Sequence, residues 1–228
     1  MVSHFDTCLD YEVQMASFNN LCTVTALLFL SACKVDTEIE LYTTDILEAS
    51  ENSNLTTPSL IKIEVSDCED NKSEIMNIAG KYFDVSSVAT CASSDGEEFV
   101  EFSAKTPIVY QSDYLPKNIV VGILISDTAE EIRQVSAMLD LSRFAAMESD
   151  VKRMDSTASL ELNEIRVNLN NDAREAVSIS VPAAFINNTP QINAEISLER
   201  RDSARLLISD VGVALTASVG KSLLFEIQ

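Results

Sequence analysis

Ile119-Val120-Val121-Gly122-Ile123-Leu124-Ile125, with the segment from Thr128 to Met147 behind it, is the stretch on which the reading of the fold turns. Seven nearly continuous apolar positions are the pattern of a central strand buried on both faces. Thr128 and Glu131 stand three residues apart in a capping-box arrangement. Ile132, Val135, Met138, Leu139 and Ala146 then recur at three- and four-residue spacing. The pattern predicts a helix from Thr128 that ends near Met147 to Asp150.

Upstream, Val35-Asp36-Thr37-Glu38-Ile39-Glu40-Leu41-Tyr42 alternates apolar and polar residues with the period of a half-buried strand. Residues 43–49 read as one or two helical turns, Ser50 to Thr57 as a loop ending at Pro58, and 60–65 as the next strand. Ile75, Ile78, Ala79 and Tyr82 mark one face of a helix over 67–83. A hairpin is expected from 85–93 and 97–108 around Ser94-Asp95-Gly96.

Downstream of Thr157 the reading is almost wholly strand: 159–169, 176–186, 192–200, 205–209, 213–218 and 222–227. Asn170-Asn171-Asp172 and Asn187-Asn188-Thr189-Pro190 separate the first three as turns. The expected class is α+β: an antiparallel-rich sheet with two main helices in the N-terminal half, and an all-β C-terminal half. Residues 33–150 make the first part and 151–228 a second β-rich domain or a continuation of the same sheet.

The run Leu21 to Ala32 is apolar but shorter than the roughly 20 residues that span a bilayer. It ends in Leu30-Ser31-Ala32-Cys33, which resembles the lipobox of bacterial membrane lipoproteins. The resemblance implies that residues 1–32 are a signal peptide and that Cys33 carries the lipid. Asp6, Asp10 and Glu12 precede it and no Lys or Arg occurs before Lys34, so Met15 is the expected true start. Two or more acyl chains on Cys33 would anchor stably. Lys34 stands where the family's inner-membrane proteins typically carry aspartate, which implies the periplasmic face of the outer membrane. Beyond the lipobox, the body resembles in general style the uncharacterised small lipoproteins of bacteria and their prophages.

The chain holds 36 acidic and 16 basic residues, for a net charge of −20. Without residues 1–32, which hold three acids and no base, 33 acids face 16 bases and the charge is −17. Such a surface repels phosphate backbones, so no nucleic-acid partner is expected. Cys8 and Cys22 would leave with the signal, and Cys68 and Cys91 remain as an even pair expected to form a disulfide. The only histidine, His4, would leave too, which removes Ser-His-Asp and Cys-His arrangements and histidine-ligated zinc.

Other polar groupings have plain structural explanations. Asp67, Glu69 and Asp70 lie in a helix's first turn, where the dipole favours acids. Asp95, Glu97 and Glu98 sit at the hairpin tip, and Ser112-Asp113-Tyr114 and Arg200-Arg201-Asp202 read as solvated turns. No phosphate-cradling loop, nucleophile elbow or dinucleotide fingerprint occurs. The expectation is a non-catalytic binding or assembly protein of the envelope. Its partners would be the membrane, through the lipid on Cys33, and an envelope or phage protein. No catalytic residue, metal ligand or cofactor is assigned. The alternatives are a carboxylate-dependent hydrolase of envelope material, which needs two acids converging in one concavity, and a lipid-binding module.

Overall fold

The computed structural model describes residues 32–227 apart from residues 53 and 131. Residues 1–31, which hold most of the expected signal peptide with Leu30 and Ser31 of the expected lipobox, lie outside the described residues. Strand β1 (Ala32–Tyr42) leads through the short helix α1 (Thr43–Glu48) to β2 (Thr56–Val65). Helix α2 (Cys68–Tyr82) starts on Asp67, whose side chain accepts from the Asp70 amide. After β3 (Asp84–Val85), strands β4 (Thr90–Ser94) and β5 (Glu97–Tyr110) form the expected hairpin. Its turn residues, Asp95 and Gly96, both take positive φ.

Strand β6 (Val121–Asp127) is central and buried over Val121 to Ile125. The helix expected from Thr128 is corrected here: residues Arg133–Leu139 form strand β7, antiparallel to β6, with Ile123 opposite Ala137 and Val121 opposite Leu139. The helical spacing of Val135 and Leu139 coincides with the period-two set Val135, Ala137, Leu139, all buried. A strand apolar on both faces needs a neighbour on its open edge, and that demand wins. The Thr128 hydroxyl closes the turn by accepting from the Ile132 amide at 3.2 Å. Arg133 then reaches out to Asp127 and to the C-terminal carbonyls of α1 at Ile46 and Leu47.

Helix α3 (Leu141–Met154) begins only at Asp140, which caps the Arg143 amide at 3.0 Å. The second main helix therefore lies later than expected. It is tied to α2 by Asp150, which accepts from Lys81 and Tyr82.

Strands β8 (Ser159–Asn170), β9 (Val177–Ile186), β10 (Thr189–Leu198) and β11 (Ser203–Ile208) follow, and the last strand is β12 (Lys221–Ile227). Between β11 and β12 lies helix α4 (Asp210–Val219), where a strand was expected over 213–218. Its ends carry the signals that decide it: Ser209 caps the Gly212 amide, and Gly220 takes the left-handed conformation at φ +87°. The all-β C-terminal half is thus a second correction. The expected α+β class is corrected with it: the fold is mostly β, about half strand and under a quarter helix, with four helices on one mixed sheet.

All twelve strands belong to that sheet, in the path β10-β9-β11-β8-β1-β2-β5-β6-β7-β12, with β3 and β4 beside β5. β1 with β8 and β5 with β6 are parallel, and the other pairs antiparallel. β12 pairs back onto β9 through Glu226 to Ser180 and Ile227 to Ile179, so the path closes on itself. The sheet draws strands from both sides of residue 150. One apolar cluster joins its inner face, with Ile39, Ile63, Phe102, Val167 and Phe225, to Ile75 of α2, Met147 of α3 and Val213 of α4. On β1, β2 and β8 the other face is left to polar residues, while on β6 and β7 Leu124 and Met138 pack beneath Leu115 in a second, small apolar cluster.

Candidate functional site

The parity of β8 shows how the outer face acquires its charges. Leu160 and Leu162 face the core, and so do Ile165, Val167 and Leu169, so the inward set changes from even to odd numbers. A β-bulge makes the change: Val35 pairs with Leu162, but Asp36 pairs with Glu164, leaving Asn163 as the extra residue. Beyond the bulge Glu164, Arg166 and Asn168 stand outward beside Asp36, Glu38 and Glu40 of β1. Lys62 of β2, opposite Asp36, and Glu64, which meets Lys34, continue the row.

The β4–β5 hairpin rises along one side, and the enclosed concavity is about 390 Å³. Its lining includes Lys34, Lys62 and Arg166 against Asp36, Glu38, Asp95, Glu97 and Glu164, a net charge of −2. Arg166 sits at the centre, donating to Glu38 at 3.2 Å and pairing with Glu164. Asn168 donates to Glu38 at 2.8 Å and to Glu40 at 2.6 Å, and Asn163 to Asp36 at 2.7 Å. Lys62 pairs with Glu101 at 3.3 Å, and Lys34 with Glu64 and Glu97.

The two carboxylates on Arg166 are driven apart. Burial pushes the Glu38 carboxyl up, but hydrogen bonds from Asn168 and Arg166 and the charges of Arg166 and Arg205 outweigh it and hold it below the ordinary range. Glu164 goes the other way: burial raises it, Asp36 adds to the rise, and the Arg166 charge only partly offsets both. Removing Arg166 leaves Glu38 and Glu164 facing one another without a counter-charge between them, both only part-exposed. Arg166→Ala is expected to cost about 2 kcal/mol at neutral pH in urea unfolding. The gap to the wild type should narrow on acidification. Glu38, depressed in the fold, loses its contribution as the pH falls through its folded pKa, while protonation of Glu164 relieves the variant. A gap independent of pH would contradict this account.

The residues singled out from the sequence are distributed as follows. Cys68 and Cys91 form a disulfide, with Cα atoms 5.7 Å apart. It ties the first residue of α2 to β4, one wall of the concavity. Cys33 is a free, half-buried thiol in β1, paired beside Leu160, and Lys34 next to it already lines the concavity. Burial pushes the Cys33 thiol up, helped by Glu64 and Asp155. Asp67 is the α2 cap, and Glu98 accepts from the Cys68 amide at 2.7 Å, so these acids serve the helix N-terminus. Asp95 and Glu97 do reach the concavity, while Arg201, at φ +71°, lies in the turn between β10 and β11.

Among the described residues no group of three or more Cys, Asp or Glu side chains is placed to hold a metal ion, and no helix is long and apolar enough to cross a membrane. Sequence reasoning missed Asp36, Glu38, Glu164 and Arg166. The parity change in β8 was the available signal. No curated protein and no solved structure matches this chain. Residues 35–228 match the family described as Domain of unknown function (DUF7424), and the chain belongs to that family.

Proposed function

We propose that the protein is a lipid-anchored envelope protein, held through Cys33 on the periplasmic face of the outer membrane, that binds a polar partner in the charged concavity and does no chemistry on it. The observation that carries the reading is the Cys68–Cys91 disulfide, a crosslink of oxidising compartments. The family match, which begins at Val35, is consistent with a boundary immediately behind Cys33. Since Lys34 lines the concavity, a bound partner would lie close to the anchor. Lining side chains that already pair with one another, with a small acidic excess, suit a zwitterionic or weakly cationic surface of an envelope or phage protein. Expression in a Gram-negative host with an alkyne-tagged fatty acid tests the anchor. The wild type is expected to take up the label and Cys33→Ser to lose it, and an unlabelled wild type would remove the reading.

One observation favours a second reading. Glu38 below and Glu164 above the ordinary range, in one concavity, is the division that general-base and general-acid roles require. A hydrolase of envelope glycan or peptide would lose activity in both Glu38→Gln and Glu164→Gln. Arg166, which holds both carboxylates, makes binding the better reading.

A further inference from the structure

β10 ends the sheet. Residues 184–186 of β9 pair with both β10 and β11, and residues 179–180 with both β10 and β12. A strand has two edges, so β11 and β12 share one edge of β9 and β10 occupies the other. Among the described strands β10 pairs with β9 alone, which leaves a ten-residue edge with unpaired backbone donors and acceptors.

Natural edge strands are commonly guarded by lysines or other charges. This one is not. In a chain of net charge −20, β9 carries no charged residue and β10 only Glu195. The hairpin turns over at Pro182 and Asn193, the latter at φ +50°. Val177, Ile179 and Val181 face inward before that point, and Ala184 and Ile186 after it. Beyond it Phe185 and Ile192 turn outward, 42% and 79% exposed, next to Pro190.

We infer that this edge accepts a second copy of the chain, β10 against β10 about a two-fold axis, with Ile192 and Phe185 of each copy at the centre. The charge pattern selects that occupant. A cationic partner would be drawn to the acidic surfaces, whereas two copies at −20 each repel least where they meet through a hairpin whose single charge is Glu195. A two-fold interface also needs one patch to complement itself, and apolar side chains beside a free edge do so. The inference does not depend on the lipid anchor or on the concavity.

Light scattering and sedimentation of the purified, disulfide-bonded chain test it. Twice the mass of one chain is expected, with slow hydrogen exchange across β10 that is lost on dilution. Ile192→Lys should raise the dissociation constant roughly 100-fold, and Phe185→Ser provides an independent second variant. Leu215→Lys, on the other exposed apolar face in α4, should leave the dimer intact. An unchanged far-ultraviolet circular dichroism spectrum and a single cooperative unfolding transition in each variant show that folding is preserved, while the midpoint of the dissociated variants falls with the lost dimer contribution. A wild type that is monomeric up to its solubility limit overturns the inference, including the case in which the edge takes a foreign strand. So does a dimer that survives both hairpin variants or dissociates with Leu215→Lys.

Discussion

Replacing Cys68 and Cys91 together by alanine is expected to lower the unfolding free energy by about 3 kcal/mol, the chain-entropy value for a separation of 23 residues. For a protein of this length the melting temperature should fall by roughly 6–12 °C. The crosslink matters for a local reason as well. β4 is five residues long, pairs only with β5, and exposes four of its five side chains. Packing therefore holds it weakly, and the disulfide fastens it to α2, whose first residue, Cys68, is buried. Because Ala92 and Ser94 of β4 line the concavity, reduction should loosen that wall before the rest of the sheet opens. Thermal unfolding with and without reductant, on the wild type and the double variant, measures both effects. Reductant should lower the wild-type midpoint to that of the variant and leave the variant unmoved. A wild-type midpoint indifferent to reductant would mean that the crosslink contributes nothing to stability.

The elements that could be read from the sequence are those whose determinants are local. α2 has its cap at Asp67 and its apolar face at Ile75, Ile78 and Ala79 within one window, and the β4–β5 hairpin has its turn residues at its tip. β7 could not be read in the same way, because Val135, Leu139 and their neighbours satisfy both periods and the choice lies with β6, its partner. α4 failed for a different reason. Val213 and Thr216 are its buried residues, while Val211, Leu215 and Val219 are exposed, so its apolar residues mark no inward stripe and β-branched composition suggested a strand. Its caps at Ser209 and Gly220 were the better guide. The concavity was legible only at its rim. Asp95 and Glu97 stand out as hairpin-tip acids, but its floor joins Glu38 to Arg166 across 128 positions, and no local pattern brings a first strand beside an eighth.

Asn171→Ala is expected to destabilise by about 3–4 kcal/mol, a substantial share of the roughly 5–15 kcal/mol typical of a domain. In the sequence Asn170-Asn171-Asp172 is a turn signal. In the fold Asn171 is almost fully buried, at 1% exposure. Its amide nitrogen donates to the carbonyls of Leu198 at 2.8 Å, Glu175 at 3.0 Å and Glu199 at 3.2 Å. Its side-chain oxygen accepts from the Thr43 hydroxyl at 2.9 Å and the Ala173 amide at 3.1 Å. One side chain thereby joins the exit of β8, the end of β10 and the start of α1. Alanine would strand the buried Leu198 carbonyl, at about 1–3 kcal/mol, and remove the donor from the part-buried carbonyls of Glu175 and Glu199 as well. The neighbour depends on it too. Tyr42, the residue before α1, offers that helix no side-chain cap, and Asp172 supplies one from across the sheet by accepting from the Thr44 amide at 3.0 Å. Asn171→Asp is the sharper variant, since a carboxylate would face the same carbonyls with no donor. It should be at least as damaging as alanine at neutral pH and should recover partly in acid, where protonation restores one donor. Urea unfolding of both variants, with hydrogen exchange at Thr44, measures the result. A loss under about 1 kcal/mol for Asn171→Ala, or Thr44 protection unchanged, would show that the turn folds without its central side chain.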